Sequence, residues 1–467
     1  MFKKSLLRGF LTVFVLVFAI FASFLIVNWG DEALRPEVQA ELSWQPPKVI
    51  DEDNGYLLLL GLNAKEGVDP LTLGNRKLAA ELSRYEANRY SIDKHLENTN
   101  DLDEVAFVRP KSAVCEYSET ANCVKFYLSR SVEQEIELLK SHQVLITNFD
   151  RLKTSSSYLE IIPPHIEALI PSYSGVMFAA ELERMRAIRL IASGKSSQGL
   201  DKLLQLSAFS QRWLENADSL VSHMIALANV QKDLRIIDEV LQNFPEVLSE
   251  QDKIVKWLDG FSNERMSIAK AFQFERRISM HSIQSALAAP QDEQDNWWQG
   301  QLIKLFNRPN AALNLTYDWH TPRIQLLQKP STQYSKGQAD LEAKEKALLG
   351  FGIANIYLRD PIIKILLSIS SYQLEPYIER HHDTFAQINL LALKLEILKQ
   401  NIAVTAIPKF VQEHATQYPN PYDGKALGWD ADKQQLFVEL RQASNQLYQK
   451  SKVLRLDVLP RTELSPK

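Results

Sequence analysis

The chain has no block of lysine and arginine. Its 53 basic and 57 acidic residues are interspersed, for a formal net charge of -4. A phosphate backbone is tracked by clustered positive charge, so this absence argues against a nucleic-acid partner. Also missing are a Gly-x-Ser-x-Gly elbow, a Gly-rich loop ending in Gly-Lys-Ser/Thr and a His-Glu-x-x-His helix. Those local patterns expose a nucleophile, cradle a nucleotide or hold zinc, and without them no catalytic residue, cofactor site or metal site can be assigned. The absence does not extend to paired carboxylates for glycan hydrolysis, which converge only in three dimensions.

Cysteine is almost absent. Cys115 and Cys123 stand alone, with seven mostly polar residues between them. A metal site needs more ligands nearby and a catalytic dithiol has the tighter Cys-x-x-Cys spacing, so a structural disulfide in an oxidising compartment is the favoured reading. Closing so short a loop contributes about 2–3 kcal/mol in the chain-entropy account, enough to tie down a loop without defining a fold.

What is present starts with an ordinary globular make-up, 45% hydrophobic and 24% charged over 467 residues, long enough for two or three domains or one continuous helical body. From Phe10 to Val27 every residue is apolar except Thr12 and Ser23, and Leu6 and Leu7 extend the run. That is roughly 20 residues, the length of a membrane crossing. Lys3, Lys4 and Arg8 precede it, Asp31 and Glu32 follow it, and Trp29 suits an interfacial anchor. The charge order places the N-terminus in the cytoplasm and the body across the membrane. The rival is a cleaved signal peptide, whose apolar core is shorter; Val38-Gln39-Ala40 has the type of a cleavage site but lies far from Val27. Arg35 to Lys48, with Pro36, Pro46 and Pro47, reads as a helix-resistant spacer standing off the bilayer.

The expected class is mainly α: an N-terminal transmembrane helix, then an α-helical body, bundle or solenoid-like, with a small C-terminal β-hairpin. In bounds, 1–28 is tip and anchor, 29–50 spacer, 51–400 helical body with a subdomain boundary within 290–340, and 401–467 the C-terminal segment. Tyr56 to Leu62 reads as a buried strand or helix edge, and Leu73 to Tyr90 as a helix. Ser131-Val132-Glu133-Gln134 has the form of a capping box ahead of Ile136, Leu139, Ile146 and Phe149. Val176 to Leu241 reads as helices broken at Gly194 and near Asn216, without the strict 34-residue tetratricopeptide period. Pro290 to Asp340 is less regular, with Trp297-Trp298 near its start, and Leu341 to Lys399 is helical again. The apolar cluster Leu348 to Leu367 holds Arg359, Asp360, Lys364 and a breaking Pro361, which argues against a second crossing. Two strands, Leu427-Gly428-Trp429 and Gln435-Leu436-Phe437-Val438, flank a polar turn.

Asn54-Gly55-Tyr56 with Gly61-Leu62, Asp69-Pro70 with Gly74, the Cys115 to Cys123 loop, Ser219 to Ala226, and Asp360-Pro361 with Tyr377, Arg380 and Asp383 together resemble an uncharacterised family of single-span, periplasm-facing inner-membrane proteins of Gram-negative bacteria. The resemblance covers most of the soluble part and implies location and topology, not chemistry. The Asn420 to Leu427 turn is also similar to turns near the C-termini of some envelope proteins and, more loosely, of type II secretion pseudopilins; the processing site and the glutamate within the apolar run of pseudopilins are absent.

Candidate chemistry is sparse. In His381-His382-Asp383 adjacent helical side chains diverge by about 100°, so a solvated helix end is favoured over a metal site. His223 reads as a satisfied core histidine. Glu181 and Glu183, Glu275 with Arg276 and Arg277, and Glu342 to Lys346 read as charged helix surface. Trp297, Trp298 and Trp319 read as core seals rather than an interface. The function expected is that of a non-enzymatic, membrane-anchored envelope protein whose body binds another envelope protein, with the lipid bilayer as its other partner. The alternatives are a periplasmic hydrolase of envelope or cell-wall substrates, which needs a cleft with two carboxylates of separated pKa, and a secretion-associated component.

Overall fold

The computed structural model describes residues 2–28, 30–47, 53–88, 102–110, 114–115, 122–262, 264–288, 308–349, 359–360, 363–364, 367, 374–441 and 453–458. They form a mainly helical protein with one small antiparallel sheet near the C-terminus. Helix α1 (Phe2–Val27) is 26 residues long, about 39 Å at 1.5 Å per residue. Its described side chains from Phe10 to Val17 and at Phe18, Ile20 and Ile26 are exposed, Phe10 at 76%. No helix among the described residues is long and apolar enough to cross a membrane.

The segment after α1 is not a spacer. Pro36 occupies the first turn of a short helix, α2 (Pro36–Leu42), where its missing N–H costs nothing. Val38 and Leu42 are buried there with Met280 and Leu313, and the carboxylate of Glu41 receives Arg276 at 2.6 Å and Arg277 at 2.8 Å. The residues that hold α2 in place lie more than 200 positions away, so local proline density carries no sign of its docking.

Tyr56 to Leu60 lie in a helix, α3 (Gly55–Leu60), not a strand. Asn54 caps it, its side chain accepting from the Tyr56 amide, and every residue of the helix is buried. Helix α4 (Pro70–Asn88) crosses it closely: a Cβ on Gly74 would stand 1.9 Å from the Leu57 carbonyl oxygen, and one on Gly61 1.9 Å from that of Pro70. The disulfide Cys115–Cys123 is formed, with Cα atoms 5.7 Å apart. Cys123 opens α5 (Cys123–Leu128), which Asn122 caps. The capping box at Ser131 and Gln134 is present in both directions and starts α6 (Val132–Ser141); α7 (Gln143–Thr154) follows after His142.

Three long helices make the centre: α8 (Tyr173–Ala192), α9 (Ser196–Asn216) and α10 (Leu220–Asn243). The breaks fall where the sequence places them. Gly194 adopts φ +80, which strains an L side chain, and Ser219 caps α10 by accepting from the Ser222 amide. Helices α11 (Gln251–Leu258) and α12 (Ala269–Ala288) follow. The less regular stretch expected before Asp340 forms, among the described residues, two helices joined by the turn 328–330: α13 (Pro309–Leu327) and α14 (Ser331–Leu349). Pro309 is in the first turn of α13, where its missing N–H costs nothing, and Pro330 directly precedes α14. Trp297 and Trp298 and most of the Leu348 to Leu367 cluster lie outside the described residues.

Helix α15 (Glu375–Lys399) packs on α10 and α11, and α16 (Ile407–Glu413) follows. The C-terminal hairpin is present and gains a third strand, giving order β1 (Gly428–Asp430), β2 (Gln435–Glu439), β3 (Val453–Asp457), all antiparallel. Leu436, Val438, Leu454 and Leu456 alternate onto the face that covers α15. One large core runs from α3 to β3; a smaller cluster gathers Ala312, Leu349, Ile363 and Leu367 around Trp319, which seals a core as expected.

Candidate functional site

The chemistry-bearing side chains gather inside the helical body, along α8, α10 and α15, in three networks. The first sits at the N-terminus of α10. Glu160, in the apolar stretch Tyr158 to Pro164, is fully buried, and one carboxylate oxygen accepts from the amides of Asp218 at 2.8 Å and Ser219 at 3.1 Å. Its other oxygen accepts from the Tyr158 hydroxyl at 3.2 Å and from Ser222, whose Oγ in turn accepts from the Trp213 indole N–H at 2.9 Å. Burial pushes the Glu160 carboxyl up to about 7 against the pull of these donors. A lone acid within an apolar run was the signal that could have marked it.

The second network joins α8 to α10. Glu181 accepts from Lys232 at 2.6 Å and from the Tyr127 hydroxyl. Arg184, fully buried, donates to Asp233 at 2.7 Å and to the side chain of Asn229 at 3.2 Å. Next to these, Glu183 receives Lys153 at 3.0 Å and Lys202 at 3.2 Å. Burial raises the Glu181 carboxyl, but Lys232 and Arg184 outweigh it and hold it below the ordinary carboxylate range; at Asp233 burial prevails and the pKa rises. Glu181 and Glu183 are therefore not surface charges. Helix α8 is apolar on nearly all sides, so its charged residues have no solvated face to occupy and must find partners inside. Arg276 is likewise buried, on Glu41, whereas Glu342 and Lys346 are exposed as expected.

The third network corrects the reading of His381-His382-Asp383 as a solvated helix end. All three are buried within α15, because the sheet and α14 cover that end of the helix. His381 Nδ1 lies 3.3 Å from His223 Nε2, so the expected core histidine is satisfied by a partner 158 residues away. His382 stands edge-on to the rings of Tyr334 and Tyr422, and Asp383 accepts from the Tyr422 hydroxyl and the Arg441 amide. Burial depresses His223 to about 3 and His382 to about 4, and His381 falls well below its ordinary value, so all three are neutral at pH 7. Among the described residues no group of three or more His, Cys, Asp or Glu is placed to hold a metal ion.

The arrangement pairs most of its interior charges with one another across helices. Its carboxylates and imidazoles face other protein groups, and neither Ser222 nor the histidines reach solvent. Comparison with models of protein families, with curated proteins and with solved structures gave no match.

Proposed function

We propose that this is a single-span envelope protein, N-terminus in the cytoplasm and body in the periplasm, whose helical body works by binding or assembling with another envelope protein. The observation that carries the anchor is the exposed apolar surface of α1: Phe10, Leu11, Val13, Phe14, Val15, Leu16, Val17 and Phe18 are each more than half exposed, a contiguous surface that water does not tolerate and lipid does. The basic residues Lys3, Lys4 and Arg8, ahead of the apolar run of α1, and the acidic Asp31 and Glu32 after it support the orientation, and the Cys115–Cys123 bond suits an oxidising compartment. The closed, internally paired networks favour binding over catalysis. Glu160 and Glu181 do have pKa values displaced in opposite directions, as a hydrolase needs, but they belong to separate networks and both are buried. The turn similar to that of secretion proteins serves packing, with Tyr422 and Leu427 buried against the body.

The test is crosslinking of the tagged full-length protein in its native membrane, with mass spectrometry of what is captured. The expected result is an envelope protein that is captured by the full chain and not by residues 1–47 alone. Capture of only the protein itself and abundant bystanders would overturn the binding role. Release from the membrane by alkaline wash would overturn the anchor.

A further inference from the structure

The chain leaves no slack between α1 and the body. The apolar run ends at Val27, and the next residue, Asn28, is already buried: its side-chain amide donates to the Phe24 carbonyl at 2.9 Å and its carbonyl oxygen accepts from the Asp360 amide at 3.0 Å. Arg308 ties the same point from the other side, donating to the Gly30 carbonyl at 2.8 Å and to Asp360 at 2.6 Å. Asp31 then caps α13 from outside, accepting from the amides of Asn310 at 2.8 Å and Ala311 at 3.0 Å, a carboxylate on a helix N-terminus. Asp360 holds φ +54, in the left-handed region that aspartate adopts more readily than most residues. Glu32, Arg35 and Glu41 continue the attachment along α13 and α12.

From this geometry we propose that the body is seated directly on the lipid headgroups, on a collar made by the start of α13 with Arg359, Asp360 and Lys364, with 28–44 as the strap that holds it there. The inference rests on the anchoring read for α1. If Val27 lies at the hydrocarbon boundary, Asp360 and Arg308 bind the chain one and three residues past it, at Asn28 and Gly30, inside the polar layer, which takes up roughly 5–8 Å on each side of a 30 Å core. The collar's charges cancel: Asp31, Glu32 and Asp360 stand against Arg308, Arg359 and Lys364. Seating therefore depends on α1 and the strap, and is the same on zwitterionic and anionic bilayers.

The experiment uses the full chain reconstituted in vesicles of phosphatidylcholine, with or without phosphatidylglycerol, carrying a headgroup quencher. The native cysteines are bonded to each other, so one introduced cysteine takes a fluorophore selectively. Ala33→Cys labels the strap beside the start of α13 at an exposed position that leaves the collar's charges in place, and Lys409→Cys, whose side chain is 80% exposed on α16, is the remote control. The expected result is loss of most of the A33C fluorescence and none of the K409C fluorescence, equally in both lipids. Vesicle-bound protein with neither label quenched means that the body stands off the bilayer, and overturns the seat alone. Equal quenching of both labels, or quenching that requires phosphatidylglycerol, also overturns it. Protein that fails to float with the vesicles overturns the anchor, and the seat with it.

Discussion

Glu160, bonded to the amide of the α10 cap Ser219, and His223, four residues past that cap, impose opposite pH dependences. Glu160 has a folded pKa of about 7 against an ordinary 4.5, so its neutral form is favoured in the fold. Its contribution to stability is full below pH 4.5 and is lost as pH rises towards 7, by up to about 3 kcal/mol from 1.36 kcal/mol per unit. His223, held near 3 against 6.5, contributes fully above pH 6.5 and loses that contribution as pH falls towards 3. Denaturant titrations over pH 3.5–8 should therefore show Glu160→Gln flattening the alkaline side of the 4.5–7 window, and His223→Gln making the acid limb shallower. A variant pair with the slope of the parent chain would contradict both assignments. Tyr127→Phe removes one donor from the buried Glu181 carboxylate, and a loss of about 1–3 kcal/mol is expected in the same measurement at pH 7.

Among the elements, the crossing of α3 and α4 has the least room. Gly74→Ala sets a methyl 1.9 Å from the Leu57 carbonyl, backbone against backbone, so the helices must part. A loss of about 3 kcal/mol or more is expected by thermal unfolding, whereas Gly194→Ala, in open space at φ +80, should cost only about 1–2 kcal/mol in strain. Equal effects would mean that the close approach is not made. Much of this level was legible in the sequence. The capping box at Ser131, the breaks at Gly194 and near Asn216, and the turn between β1 and β2 are local signals, each decided by a few neighbouring residues. The short α2 and the helices α13 and α14 were not legible, because their prolines serve as helix starts and the surfaces that stabilise them come from distant segments.

For the whole molecule, the strap bears on processing. Val38-Gln39-Ala40 lies within α2, with Val38 fully buried against Met280 and Leu313. Cleavage after Ala40 would remove Asp31, Glu32 and Arg35 from α13 and leave the body without its clamp. Intact mass spectrometry of the membrane-extracted protein should therefore find α1 retained; a mature chain beginning at Glu41 would count against that. The disulfide is a smaller tie. The start of α5 is also held by Glu239, which accepts from the Cys123 and Val124 amides at 2.7 and 3.1 Å, so Cys115→Ser with Cys123→Ser should cost about 2–3 kcal/mol and leave the helical circular dichroism intact.

Local pattern by itself determined the helical class, the apolar N-terminal run, the helix caps and breaks, the C-terminal hairpin and the cysteine pairing, since each depends on residues within a turn or two of one another. Only the tertiary structure decided which charges are interior. Arg184 meets Asp233 across 49 residues, Lys394 meets Asp238 across 156, and His381 meets His223 across 158. A charged or imidazole side chain reads as surface until a partner compensates its desolvation, and that partner is brought by helix packing rather than by sequence spacing.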